Sequence, residues 1–164
     1  MDLLLSVIQT VYLKESGARP RKKQGGGMKT TELFIPVRPV PAARVRVTRF
    51  SSYFPKTYTD FRNECYHVLK KLAKQYPAND SAYIVNVEFI CRRPKNPSNA
   101  YPVGDVDNYL KGILDALVKC ELFFKDDIQI IELTGAKRYQ KSKEEFGMRI
   151  TISELSLEEA SALL

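Results

Sequence analysis

The 164-residue chain has no tryptophan, one histidine and only three cysteines. Cys65, Cys91 and Cys120 are odd in number and nowhere form a C-x-x-C pair, which argues against a disulfide framework or a zinc site and predicts reduced thiols in a cytoplasmic protein. No apolar run approaches the roughly 18 residues that a membrane span needs. The opening "MDLLLSVIQTVYL" carries Asp2 where a signal peptide would be basic and lacks a small-residue cleavage site, so export is not expected. No internal repeat is present. A calcium loop is excluded as well, because Leu110 stands where an EF-hand requires glycine.

What is present is charge of one sign. Twenty-six Lys and Arg against 19 Asp and Glu give +7 and a pI near 9.3, which points to a polyanionic partner, nucleic acid first. Hydrophobic content of 44% with 27% charged residues is a soluble globular balance in a chain about one domain long.

Residues 14–27, "KESGARPRKKQGGG", read as a flexible tail or linker, so residues 1–27 are expected to be an extension ahead of a folded domain over 28–154. "TELFIPV" (31–37) predicts a first strand, and the proline- and arginine-containing segment after it predicts a long irregular loop with strand-like pieces. A helix is expected from a cap at Thr59 or Asp60, with apolar residues at helical spacing through 72. His67 lies in it near apolar neighbours and is assigned a structural role. Alternation in "YIVNVEFI" (83–90) predicts a half-buried strand, and 107–120 a second helix. "DIQIIEL" (127–133) and "GMRITIS" (147–153) read as strands joined through the charged turn "AKRYQKSKEEF". Residues 155–164 are a C-terminal tail, either a short helix or frayed. The order β-α-β-α-β-β predicts an α+β domain, a small mixed sheet packed with helices.

One stretch, "GDVDNYLKGILDALVKCELFFKDDIQI" (104–130), sets five aspartates on and around a helix in this basic chain. Carboxylates this close repel unless a cation lies between them. Asp107 sits where a helix cap belongs, with Asp105 two residues earlier in extended chain and pointing the same way. Lys111 lies one turn inside, and Leu110, Ile113, Leu114, Leu117 and Val118 form the apolar face. If Asp127 opens the next strand beside this helix, three carboxylates meet, with Asp126 an additional donor. Such hard oxygen ligands suit Mg²⁺, and Mn²⁺ fits the same set. Asp115 is expected to pair with Lys111 on the surface.

The segment "DVDNYLKGILDAL…FFKDDIQI" resembles the RusA family of Holliday-junction resolvases, through Asp105, Asp107, Asn108, Lys111, Asp115, Ala116, Leu117, Asp126, Asp127 and Gln129. "PVRPVPAARVRVTRF" and "YFPKTYTDFRNE" are similar to the family's basic loop and first helix, and the likeness spans roughly residues 30–153. The resemblance implies a cytoplasmic enzyme of bacterial or phage origin, a homodimer acting on four-way DNA junctions with Mg²⁺. It implies that Asp105, Asp107 and Asp127 are the essential acids and Lys111 the essential lysine.

A carboxylate cluster repels DNA, so other residues must hold it. Residues 28–76 carry ten Lys and Arg against three acids. Arg44, Arg46, Arg49 and Lys56 are the first candidates for phosphate contacts, and Arg92 and Arg93 the second. Two other readings stand beside this one: a phosphohydrolase with Asp105 as nucleophile, and a basic DNA-binding module without catalysis.

Overall fold

The computed structural model describes residues 13–14 and 28–163. Most of the extension expected over 1–27 thus lies outside the described residues. Among the described residues seven strands and three helices follow one another: β1 (Leu13–Lys14), β2 (Lys29–Ile35), β3 (Arg46–Val47), β4 (Ser52–Tyr53), α1 (Lys56–Leu72), β5 (Ala82–Cys91), α2 (Val106–Lys119), β6 (Ile130–Tyr139), β7 (Gly147–Leu155) and α3 (Leu157–Leu163). β3 and β4 form a small separate hairpin; the other strands make one sheet in the order β1-β2-β7-β5-β6. β7 is antiparallel to both neighbours and β5–β6 is parallel, so the sheet is mixed and the fold α+β, as the element order implies.

Burial explains which face the helices cover. Tyr83, Val85, Val87 and Phe89 of β5 and Met148, Ile150 and Ile152 of β7 are buried together with Tyr58, Phe61, Cys65 and Leu69 of α1 and Ile113 and Leu117 of α2. The strands thus supply one apolar stripe each and the helices another. All three cysteines are free and buried, and burial raises each thiol above its ordinary value, which suits an inert core role.

Two boundaries differ from those expected. α1 begins at Lys56, immediately after Pro55, whose φ of −53° already suits a helix entrance, so neither Thr59 nor Asp60 is its cap. β6 begins only at Ile130 and continues through Lys137 and Arg138 to Tyr139, because it pairs with β5 along its whole length. Its charged end is compatible with a strand because the cations have partners: Lys137 bonds loop carbonyls, and Arg138 bonds Glu88 through Nε at 2.6 Å and Glu144 through both terminal guanidinium nitrogens, holding Glu144 down to about 2. Residues 157–163 form a helix that sets Ala160 on Ala82 and Leu155, so this part of the C-terminal tail is ordered.

Candidate active site

The long acidic stretch folds around α2. The helix spans Val106–Lys119, so Asp105 is its N-cap in place of the expected Asp107, which lies inside the first turn. Asp105 has extended backbone (φ −81°, ψ 143°), yet its side chain makes no capping hydrogen bond. Helix capping therefore does not explain its presence. The loop ahead of it is fixed from two directions. The Lys137 ammonium on β6 donates to the carbonyls of Pro102 and Gly104, and the Tyr109 hydroxyl donates to the Val103 carbonyl at 2.8 Å. Gly104, at φ +96°, supplies the left-handed turn that side chains disfavour.

α2 seats on the sheet and on α1 through small residues. A Cβ at Gly135 of β6 would stand 2.8–2.9 Å from three atoms of Leu110, and one at Gly112 would stand 3.3 Å from Phe61. Leu110 is only partly buried, Val118 likewise, and the fully buried part of the face is Tyr109, Gly112, Ile113, Ala116 and Leu117 with Leu114. The apolar arc is thus rotated toward α1 from the one read off the sequence. Replacing Gly135 with valine is expected to push α2 outward and lower stability by about 1–3 kcal/mol, read as a fall in the thermal unfolding midpoint; an unchanged midpoint would show that Leu110 rearranges freely.

Along the outer side of α2, Asp107, Lys111 and Asp115 are all exposed. No ion pair among the described residues joins Lys111 to Asp115, so the expected surface pair is absent. Asp107, Lys111 and Asp115 are therefore an unpartnered row.

Asp127 does not open a strand. It begins a 3-10 turn, Asp127–Gln129, ahead of β6. Asp126 caps this turn, its carboxylate accepting from the Ile128 amide at 3.0 Å, and that bond holds its pKa below the usual value. Gln129 fastens the turn to the chain before β5. Its side-chain amide donates to the Asn79 and Ser81 carbonyls at 2.8 and 2.9 Å, while its oxygen accepts from the amides of Lys125 and Asp126. Asp127 is left exposed at the front. Its pKa is raised, first by the hydrogen bond shared with Asp126, then by slight desolvation and the charges of Asp126 and Asp115. Crowded negative charge of this kind is what a divalent cation relieves, and the donor atoms are the hard oxygens such an ion takes.

Asp115 is exposed on α2, and its charge is the least of those that raise the Asp127 pKa. It is two helical turns, about 12 Å, from Asp107 along α2. Asp105 and Asp107 thus lie at the start of α2, Asp115 two turns further along it, and Asp126 and Asp127 in the turn before β6. Among the described residues no three carboxylate, thiol or imidazole groups are gathered closely enough to hold one ion as they stand. The single three-carboxylate cage anticipated from the sequence is therefore not preformed.

The basic candidates fall on several elements. Ala42 donates its amide to the Asn108 carbonyl at 2.8 Å, so the arginine-bearing segment starts against the first turn of α2. Arg44, Arg46 and Arg49 are exposed on and beside the β3–β4 hairpin. Lys56 is exposed too, but is paired with Asp60 at 2.6 Å. Arg92 and Arg93 are exposed beyond β5, Arg93 lying 5.6 Å from the Tyr139 ring. His67, by contrast, is not a core residue. It is exposed on the outer side of α1 and lines a shallow depression with Lys70, Lys71 and Lys74. Lys119 approaches the same place, over the Tyr66 ring that Lys70 also covers. This second cationic surface has a helical-spacing signal, 67-70-71-74, that a search for basic loops passes over.

The family model described as Endodeoxyribonuclease RusA matches residues 36–153, well over half of the chain. No curated protein matches it.

Proposed function

Because the chain belongs to the RusA family of endodeoxyribonucleases, whose activity is resolution of Holliday junctions by phosphodiester hydrolysis with a divalent metal, we propose that it nicks two opposed strands of a four-way junction using Mg²⁺, in DNA recombination and repair. The observation that carries this reading is the set of exposed carboxylates on and beside α2, with Asp105 making no capping hydrogen bond and Asp107 no ion pair among the described residues.

Asp105 and Asp107 are the first metal ligands, and Asp127 is brought to them when DNA binds. Magnesium commonly takes one or two carboxylates together with substrate phosphate oxygens and water, so a site completed by the substrate accords with acids that are not already gathered. When bound, the ion supplies activation of water and neutralisation of charge on the scissile phosphate. Lys111, one turn from Asp107 and without an ion pair, stabilises the negative charge that develops on the phosphate oxygens. Asp126, engaged as a turn cap, is a secondary donor. Arg44, Arg46 and Arg49, with Lys56, Arg92 and Arg93, hold the sugar-phosphate backbone against the repulsion of the acids. Two-fold incision needs two sites, which a homodimer provides.

A labelled synthetic junction tests the proposal. With Mg²⁺ or Mn²⁺ the protein is expected to give paired nicks bearing 5′-phosphates that ligase seals, and EDTA is expected to stop the reaction. A junction left intact in both metals, or phosphate released from small esters instead, overturns it.

A further inference from the structure

The β3–β4 hairpin ends in the turn Thr48-Arg49-Phe50-Ser51, and Phe50 at its tip is 91% exposed. An aromatic ring left almost wholly in water is costly, by about 25 cal/mol for each Å² of apolar surface, so its position calls for a partner. The turn is built to hold it. The Thr48 amide donates to the Ser51 carbonyl at 2.7 Å, and the Thr48 hydroxyl accepts from the Ser51 amide at 3.0 Å and from the Phe50 amide at 3.4 Å. These bonds fix the tip before any partner arrives, which reduces the ordering cost of binding.

The surroundings say what that partner is. From Leu33 to Thr59 the chain contains no acid and five cations, Arg38, Arg44, Arg46, Arg49 and Lys56. The Arg49 guanidinium lies 5.8 Å from the Phe50 ring. A second copy of this chain, also carrying +7, is electrostatically mismatched to such a tip. DNA is matched twice, since its phosphates suit the arginines and its unstacked bases suit the ring. The hairpin is also rooted beside the acids, through the Ala42–Asn108 bond. Phe50 is eight residues on from Ala42, so the tip lies at most about 29 Å from that root, within reach of the same stretch of DNA.

We propose that Phe50 is the branch-point reader of this enzyme: it stacks on, or wedges between, the bases exposed where the arms of the junction meet, with Arg49 on the adjoining phosphate. Apolar wedges at disrupted base steps and aromatic stacking on unpaired bases are established ways of reading DNA shape. A continuous duplex offers no exposed base face at low cost, so the ring distinguishes a junction from a duplex, while the arginines bind both. The inference rests on the nuclease reading only for its substrate.

The test compares Phe50→Ala and Phe50→Trp with the wild-type chain, measuring binding in EDTA to a four-way junction and to a linear duplex of the same arm sequence. Stacking on one base predicts that Phe50→Ala weakens junction binding roughly 5- to 100-fold, leaves duplex binding within about twofold, and abolishes the fluorescence change of 2-aminopurine placed at the branch point. Phe50→Trp is expected to keep both the affinity and the fluorescence change. An unaltered junction-to-duplex ratio in Phe50→Ala overturns the proposal, as does a loss of junction binding that sedimentation traces to dissociation of a dimer. Metal-dependent cleavage by the wild-type chain is scored separately: a junction bound through Phe50 but never cut sinks the nuclease reading and leaves this inference standing.

Discussion

Asp107→Asn is expected to lower junction cleavage by at least about a thousandfold while leaving junction binding as tight as in the wild type, or somewhat tighter. A thousandfold corresponds to about 4 kcal/mol, within what a divalent ion contributes to the stabilisation of charge at phosphorus. Asparagine keeps the shape of the side chain and the first turn of α2, where Asp107 is exposed and makes no ion pair that the substitution could break. Stability should therefore hardly change. Binding should hold or improve, because one negative charge facing the phosphates disappears. Single-turnover cleavage beside anisotropy binding separates the two effects, and cleavage at the wild-type rate would remove Asp107 from the chemistry.

Lys111→Ala is expected to cut about a hundredfold more slowly, the usual cost of removing one preorganised donor to a developing anion. Lys111 is exposed and has no carboxylate partner among the described residues, so its loss leaves no acid newly unpaired. Mn²⁺ affinity in the presence of junction DNA should remain within a few-fold. If metal affinity falls together with the rate, Lys111 acts on the arrangement of the acids rather than on the phosphate.

The fold and the site were legible in the sequence to different depths, for physical reasons. Period-two alternation over residues 83–90 and the apolar spacing of 107–120 were strong because one face of each element is buried in the same core. The extent of β6 was hidden, because Lys137 and Arg138 look like turn residues until their partners, the loop carbonyls and Glu88, are brought alongside by parallel pairing. The start of α1 at Lys56 was hidden behind Pro55, which reads as a loop residue as readily as a helix entrance.

In the site, residue types and order were legible and their convergence was not. Spacing showed that Asp107, Lys111 and Asp115 share one side of a helix. It did not show that Asp127 belongs to a 3-10 turn tied by Gln129, nor that Asp115 is the α2 charge acting on it. Those facts depend on contacts 48 and 50 residues apart in the chain. Phe50 carried no signal of its own, because an isolated phenylalanine in a loop normally folds inward, and only its exposure sets it apart.

The central claim is that Asp105, Asp107 and Asp127 close on one hard cation once DNA is present. Anomalous scattering from Mn²⁺ in crystals of the chain bound to a junction with a non-hydrolysable linkage at the cut site tests it most directly. The account predicts a manganese peak within coordination distance of Asp107 and of a phosphate oxygen, with Asp105 and Asp127 completing the shell. A peak held elsewhere, or one that leaves Asp127 out of reach, contradicts it.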